Sequence, residues 1–310
     1  MLFGIWPGVV AADLVTLQPL ECPPEDPVAT LSALRDLQGT ASGFLVRCYR
    51  HFGRGAIEHP GAVATPVDPG RYAGEGRLID LVCCYQSPVP DAEGFADFVR
   101  QAVRDVADWG GGKVQVGEEL NLPAPLDGGS PGCFEAVAAG VRAALDEREQ
   151  RSVRVEVGVN SAGMADPAFW GRLAATLGPE LLQRLDYVGL DAFPDVFSPI
   201  PHDRLPAAVD FLVRRFRDVT AAVGVDRRTP IHVTETGWPT DADRSEATQA
   251  WVLEAVARAV LAADPQIGAY EIFGLRDGTS SATWQGRFGI VRDDYSRKPA
   301  FETVRGLVGG

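Results

Sequence analysis

The sequence lacks most signatures of metal, nucleotide or membrane chemistry. Its four histidines, His51, His59, His202 and His232, show neither HxH nor HExxH spacing, so no zinc site is expected. No GxGxxG or Walker pattern follows a strand-like run, and no GxSxG elbow is present. No cofactor or metal is therefore expected. No stretch of eighteen apolar residues exists, so no membrane-spanning helix is expected. The opening MLFGIWPGVVAADLV has no basic n-region, and Pro7 and Asp13 break its apolar run; it makes a poor signal peptide. Cysteine is sparse. Cys22, Cys48, Cys83, Cys84 and Cys133 are odd in number and lack CxxC spacing, which fits a reducing cytoplasmic setting better than a disulfide framework. Basic residues are also under-represented: 29 Lys and Arg face 42 Asp and Glu, a net charge of −13. That balance argues against nucleic-acid backbones and anionic membrane surfaces, and favours a neutral or cationic ligand.

What is present is a repeated apolar rhythm. Eight β-rich runs occur along the 310 residues: Leu2–Trp6, Gly43–Tyr49, Leu78–Tyr85, Lys113–Glu119, Val153–Asn160, Asp186–Phe193, Ile231–Glu235 and Ile267–Leu275. Most are apolar on successive residues, the pattern of parallel strands buried on both faces. Helical stripes lie between them. Phe95, Phe98, Val99, Ala102, Val103 and Val106 share one face; so do Leu205, Val209, Leu212, Phe216 and Val219, and Val252, Val256, Ala259 and Ala263. Segments 29–37 and 134–149 are further helix candidates. Asp203 and Ser245 stand where N-caps belong. The crossover Gly53–Gly76 is rich in Gly and Pro and has no stripe, so a long loop is expected there. No repeat or low-complexity linker divides the chain. The prediction is one α/β domain over 1–310, a (β/α)₈ TIM barrel with an irregular second crossover. Connections leaving strands are long (122–132, 194–201, 236–243, 276–287) and those entering strands are short. In such a barrel the strand-leaving loops build the functional face.

Two of those strand ends carry glutamates. Strand four ends VQVGEELNLP and strand seven ends IHVTETGWPT, giving Glu119 (beside Glu118) and Glu235. Strands four and seven face each other across a barrel mouth. Two facing carboxyls are what glycoside hydrolysis requires, one protonated to donate and one ionised to attack or to activate water. A single strand-end glutamate is ordinarily just solvated or ion-paired; the pair is harder to dismiss.

These segments resemble the retaining (β/α)₈ glycoside hydrolases of clan A. Thr234-Glu235-Thr236-Gly237-Trp238-Pro239 is similar to the nucleophile segment of β-1,3-glucanase-like families. Val116-Gly117-Glu118-Glu119 resembles the acid/base segment, with Glu118 where the clan has Asn. The ending from Phe288 to Phe301 is similar to the clan's. The resemblance implies Glu235 as nucleophile and Glu119 as general acid/base, acting on a β-linked oligosaccharide or glycoside. It implies an arginine from strand two beside the nucleophile, for which Arg47 and Arg50 are both candidates. Asn160, Glu118 and Asp191 are candidate sugar-binding groups, and Trp238 and Trp284, in the long loops, are candidate aromatic walls. Two departures stand out. Glu118 can accept from a sugar hydroxyl but not donate, and it reaches the mouth together with Glu119 only if the strand end is bulged. Phe193 stands where many members place a tyrosine whose hydroxyl steadies the nucleophile. The alternatives are a non-catalytic carbohydrate-binding barrel, and a metal-assisted enzyme using Glu118, Glu119, Asp191 and Glu235.

Overall fold

Every long apolar run becomes a barrel strand. The computed structural model describes residues 1–13, 18–53, 63–123, 128–163, 166–279 and 284–310, without the side chains of 63 and 64. His59 and parts of the expected loops at 53–76, 122–132 and 276–287 lie outside the described residues. The strands are β1 (Leu2–Trp6), β2 (Phe44–Phe52), β3 (Arg77–Tyr85), β4 (Gly112–Val116), β5 (Val155–Ala162), β6 (Tyr187–Asp191), β7 (Ile231–Thr236) and β8 (Ile267–Phe273). They close in chain order into one parallel barrel, with β8 pairing back onto β1. The (β/α)₈ expectation is met.

Seven α-helices cover the barrel among the described residues: α1 (Pro27–Gln38), α2 (Ala92–Asp108), α3 (Cys133–Arg151), α4 (Pro167–Gln183), α5 (Leu205–Ala222), α6 (Glu246–Ala263) and α7 (Pro299–Gly309). Among the described residues the second crossover carries no α-helix. There the described residues form a 3₁₀ turn, Pro69–Tyr72, and a two-residue strand, Val63–Ala64, paired antiparallel with Val9–Val10. Helix α4 buries Phe169, Trp170, Leu173, Leu177 and Leu181 along one face, and kinks where Gly178 takes φ +73° and Pro179 follows. Helix α2 buries Phe95, Val99, Ala102, Val103 and Val106 as its periodicity requires. Ser245 caps α6, accepting from the Thr248 N–H. Asp203 does not cap α5: it lies inside a 3₁₀ turn, His202–Arg204, which leads directly into the helix. No described helix is long and apolar enough to cross a membrane.

The barrel interior is charged where such interiors are mostly branched and apolar. Register sets this up. Arg47 of β2 pairs with Asp80 of β3, and Asp80 with Lys113 of β4, so a cation, an anion and a cation stand in one row. Arg47 Nη1 lies 2.8 Å from Asp80 Oδ2. Lys113 Nζ lies 3.1 Å from the same oxygen and 2.6 Å from Glu271 Oε1 on β8. All four side chains are buried. Burial opposes the Asp80 charge, but Lys113 and Arg47 outweigh it and hold the carboxyl at about 2. Glu271 goes the other way. Burial and then the Asp80 charge push it up to about 8, against Lys113. Gly4 makes room for this layer, since a Cβ there would sit 2.9 Å from Glu271 Cγ.

Candidate active site

Above the charged row, at the C-terminal ends of the strands, three strand ends bring carboxyl groups together. Strand alternation alone would not do this on β7. There Thr234 and Glu235 both turn toward the interior because the pairing with β6 slips, from Leu190–Val233 to Asp191–Glu235. Strand β4 makes a comparable break. It ends at Val116, Gly117 takes φ +85° and Glu119 takes φ +39°. No register shift marks β4, so Glu118 reaches the site through this turn beyond the strand rather than through a bulge within it.

Glu235 is held from β2. Its Oε1 accepts from the Tyr49 hydroxyl and from Arg47 Nη2 at 3.4 Å, and Arg47 Nε also donates to Tyr49 Oη at 2.9 Å. Arg47 and Tyr49 are two residues apart on one strand face, so both point inward. Burial first, and the Glu235 charge after it, keep Tyr49 well above the ordinary tyrosine range despite Arg47. The phenol thus keeps its proton and acts as donor. Tyr49 supplies the hydroxyl that Phe193 cannot. Phe193 instead packs edge-on to Phe273 and Phe288.

Glu118 is more enclosed, at 5% exposure. Its Oε2 accepts from Gln115 Nε2 at 2.5 Å and Arg47 Nη2 at 3.1 Å, and its Oε1 from Asn160 Nδ2 at 3.1 Å. Asn160 is a hub. Its amide also donates to Asp191, and its Oδ1 accepts the Glu119 backbone N–H at 3.0 Å. Glu119 is half-buried and follows directly on that anchored backbone. Asp191 is fully buried, with Thr234 Oγ1 2.5 Å from its Oδ1. Burial and then the Glu235 charge push Asp191 up to about 8.

Glu118, Asp191 and Glu235 each bring one oxygen within 4.8 Å of the others, a spacing that oxygen-binding cations accept. Their surroundings argue for a different counter-charge. The Arg47 guanidinium already bridges Glu118 and Glu235, and amide and hydroxyl donors occupy the Glu118 and Asp191 oxygens.

Of the residues singled out from sequence, Arg47, Glu118, Asn160, Asp191 and Glu235 converge, with Glu119 beside them. Arg50 turns outward, as parity demands of an even neighbour, and pairs with Asp105 of α2 at 2.6 Å. Trp238 is buried, its indole N–H on Asp195 Oδ2 at 3.2 Å. Arg244 lies against the Trp238 ring at 5.6 Å and against Trp284 at 5.3 Å. Trp284 is half-buried and edge-on to exposed Phe197. Sequence reasoning missed Tyr49 as a site donor, and missed Gln115, Thr234 and the Asp80–Lys113–Glu271 layer. The available signal was a charged or polar residue inside an apolar run, as in LIDLVCC and AYEIF.

No family model and no curated protein matches the chain. Solved structures do match in fold. A family 39 glycoside hydrolase from the gut symbiont Bacteroides cellulosilyticus WH2 superposes with TM-score 0.62 at 14% identity, over 99% of this chain and 63% of that one. GH5_18 from Streptomyces cattleya, in complex with GlcNAc, gives 0.58 at 17% identity, over 90% and 74%. The Ignisphaera aggregans GH53 catalytic domain gives 0.57 at 14%, over 90% and 88%. The chain thus spans just under two thirds of the first of these proteins. At these identities the likeness is one of fold: this chain shares the (β/α)₈ barrel of these glycoside hydrolases.

Proposed function

We propose that the protein is a retaining glycoside hydrolase, or a transglycosylase of the same mechanism, acting on a β-linked oligosaccharide or glycoside. The observation that carries this is the clasp on Glu235: one carboxylate at the barrel mouth, with Oε1 gripped by Tyr49 and Arg47. Such a clasp fixes an ionised carboxylate in one orientation, as a nucleophile needs. The fold neighbours support the same reaction class.

In the first step a Glu235 oxygen bonds to the anomeric carbon while the glycosidic C–O bond breaks. Glu119, as the acid, gives its proton to the departing oxygen. In the second step the Glu119 carboxylate takes a proton from water, the water oxygen bonds to the anomeric carbon, and the ester to Glu235 breaks. Glu118 serves as a fixed acceptor, since its oxygens are already engaged by Gln115, Arg47 and Asn160. We place the catalytic domain over residues 1–310 and the protein in a reducing compartment. The five cysteines, all free thiols, favour the latter.

The test is hydrolysis of a panel of fluorogenic aryl β-glycosides by the parent, Glu235→Ala and Glu119→Ala. Glycosylation by an activated aryl substrate needs little acid help, so it should survive loss of Glu119 and vanish with Glu235. External azide should rescue Glu119→Ala as a glycosyl azide of retained configuration. Equal activity in the parent and Glu235→Ala refutes the assignment. Saturable sugar binding with no turnover on aryl or oligosaccharide substrates replaces it with a binding barrel.

A further inference from the structure

We propose that Asp191 is a positioning residue that stands in the resting site as a neutral carboxylic acid. Its neutrality leaves the Arg47 charge to Glu118 and Glu235. The protonation half of this stands on geometry; its effect on turnover rests on the glycosidase reading above.

Three carboxyls lie within 4.8 Å of one another. Like charges at that spacing in a dry site do not all ionise. Arg47 is the cation among them. It lies 3.1 Å from Glu118 and 3.4 Å from Glu235, and its other guanidinium nitrogen is 2.8 Å from Asp80. No cation lies within 4.0 Å of Asp191 among the described residues. Its neutral hydrogen-bond partners are the Thr234 hydroxyl and the Asn160 amide, and a Glu118 oxygen lies within 4.8 Å. One guanidinium shared between two of three crowded carboxyls leaves the third to be neutralised by a proton. The guanidinium and two amides on Glu118 favour its ionised form, which leaves the proton on Asp191.

The strands flanking Asp191 supply Asn160 from β5 and Thr234 and Glu235 from β7, and from across the barrel come Arg47 of β2 and Glu118 from the end of β4. Deeper in the barrel, Lys113 is committed to Asp80 and Glu271. Burial and then the Glu235 charge raise the Asp191 carboxyl, outweighing Arg47 and the Thr234 and Glu118 hydrogen bonds, which lower it.

The neutral acid matters through Asn160. One amide spans Asp191 and Glu118 and holds the backbone of Glu119. Loss of the Asp191 proton puts a third anion against that amide's partners. Repulsion then loosens the mount of Glu119 and weakens turnover on the alkaline side.

The experiment compares the parent, Asp191→Asn and Glu118→Gln by thermal melting from pH 4 to 9 and by pH–rate profiles. A native carboxyl raised to about 8 stabilises fully below the free aspartate value near 3.9 and progressively less as pH climbs to 8. The parent melting temperature should therefore fall relative to Asp191→Asn across that window. Asparagine mimics the neutral acid, so the pH–rate profile of Asp191→Asn, whatever its level, should lack the parent's decline near pH 8. A melting difference that does not change with pH overturns the proposal. So does removal of the pH dependence by Glu118→Gln instead, which puts the proton on Glu118. If Asp191→Asn does not fold, infrared spectra of Glu271→Gln read the same proton. That chain lacks the other carboxyl raised to about 8, so a protonated-carboxyl band lost between pH 7 and 9 supports Asp191, and no band at pH 6 overturns it. A chain that hydrolyses nothing but shows the melting signature keeps this inference and removes the glycosidase reading.

Discussion

Arg47→Met should destabilise the protein by an amount set by the acids it leaves behind. The Arg47 side chain is 1% exposed, and those of Asp80, Glu118 and Glu235 are 0, 7 and 9% exposed, so solvent screens none of these pairs appreciably. Burial works against the guanidinium charge, but Tyr49, Glu118, Asp80 and Glu235 together raise its pKa well above the ordinary arginine value. Methionine preserves much of the stem volume and removes only the head. Lys113 still covers Asp80 at 3.1 Å, so the uncompensated groups are Glu118 and Glu235. Breaking a buried pair by removing one partner costs about 3–5 kcal/mol. Unfolding entropy near 60 °C is about 0.65 kcal/mol per kelvin for a chain of this length, so a loss of about 4 kcal/mol lowers the melting temperature by about 6 °C. Acid supplies the missing positive charge as protons. The deficit should therefore be full at pH 7.5 and narrower at pH 5, as read by paired circular-dichroism melts in low-salt buffer. A drop below about 2 °C at pH 7.5, or equal deficits at both pH values, refutes the view that Arg47 is the counter-charge of the site.

Two further substitutions probe smaller parts of the same frame. Tyr49→Phe removes the donor to Glu235 Oε1 and an acceptor for Arg47 Nε; a hydrogen bond to a charged group is worth about 1.5–3 kcal/mol, so kcat/KM on an activated aryl glycoside should fall about 10- to 100-fold and the melting temperature by about 2–5 °C. Gly189→Ala should cost about 1–3 kcal/mol in a denaturant titration, because the new Cβ would lie 2.7 Å from Asn160 Cβ and 2.9 Å from Thr234 Oγ1.

The frame was legible because its signals are local and repeated. Apolar runs of strand length, helical stripes between them and long strand-leaving loops can be read without knowing what packs on what. The irregular second crossover was legible for the same reason: Gly and Pro at 53–76 remove the stripe a helix needs. The charged barrel layer was not. Asp80, Lys113 and Glu271 each look like an isolated polar interruption of an apolar run. Their meaning depends on register, which pairs Arg47 with Asp80 and Asp80 with Lys113 and is fixed only when the barrel closes.

The candidate site lies where the regular rules of strand geometry fail, and that determines which half of it sequence could supply. Parity separates Arg47 and Tyr49 from Arg50 once one inward residue is known, so β2 needed a single fact. On β7, parity gives the wrong answer: Thr234 and Glu235 cannot both face inward on a regular strand, yet both do, through a slip of one residue against β6. At the end of β4 the ladder breaks in another way, through positive φ at Gly117 and Glu119. A side chain is seldom placed at positive φ without cost, and Glu119 is anchored there by the Asn160 bond to its own N–H. The two residues assigned to bond-breaking chemistry thus both follow a break in the ladder, and both breaks are stabilised by side chains of the same cluster. Asp191 bonds Thr234 on one side of the mouth and Asn160 on the other. The carboxyl that sequence reasoning ranked as a mere sugar contact is the tie between the two irregular strand ends. Its protonation state therefore bears on the geometry of both.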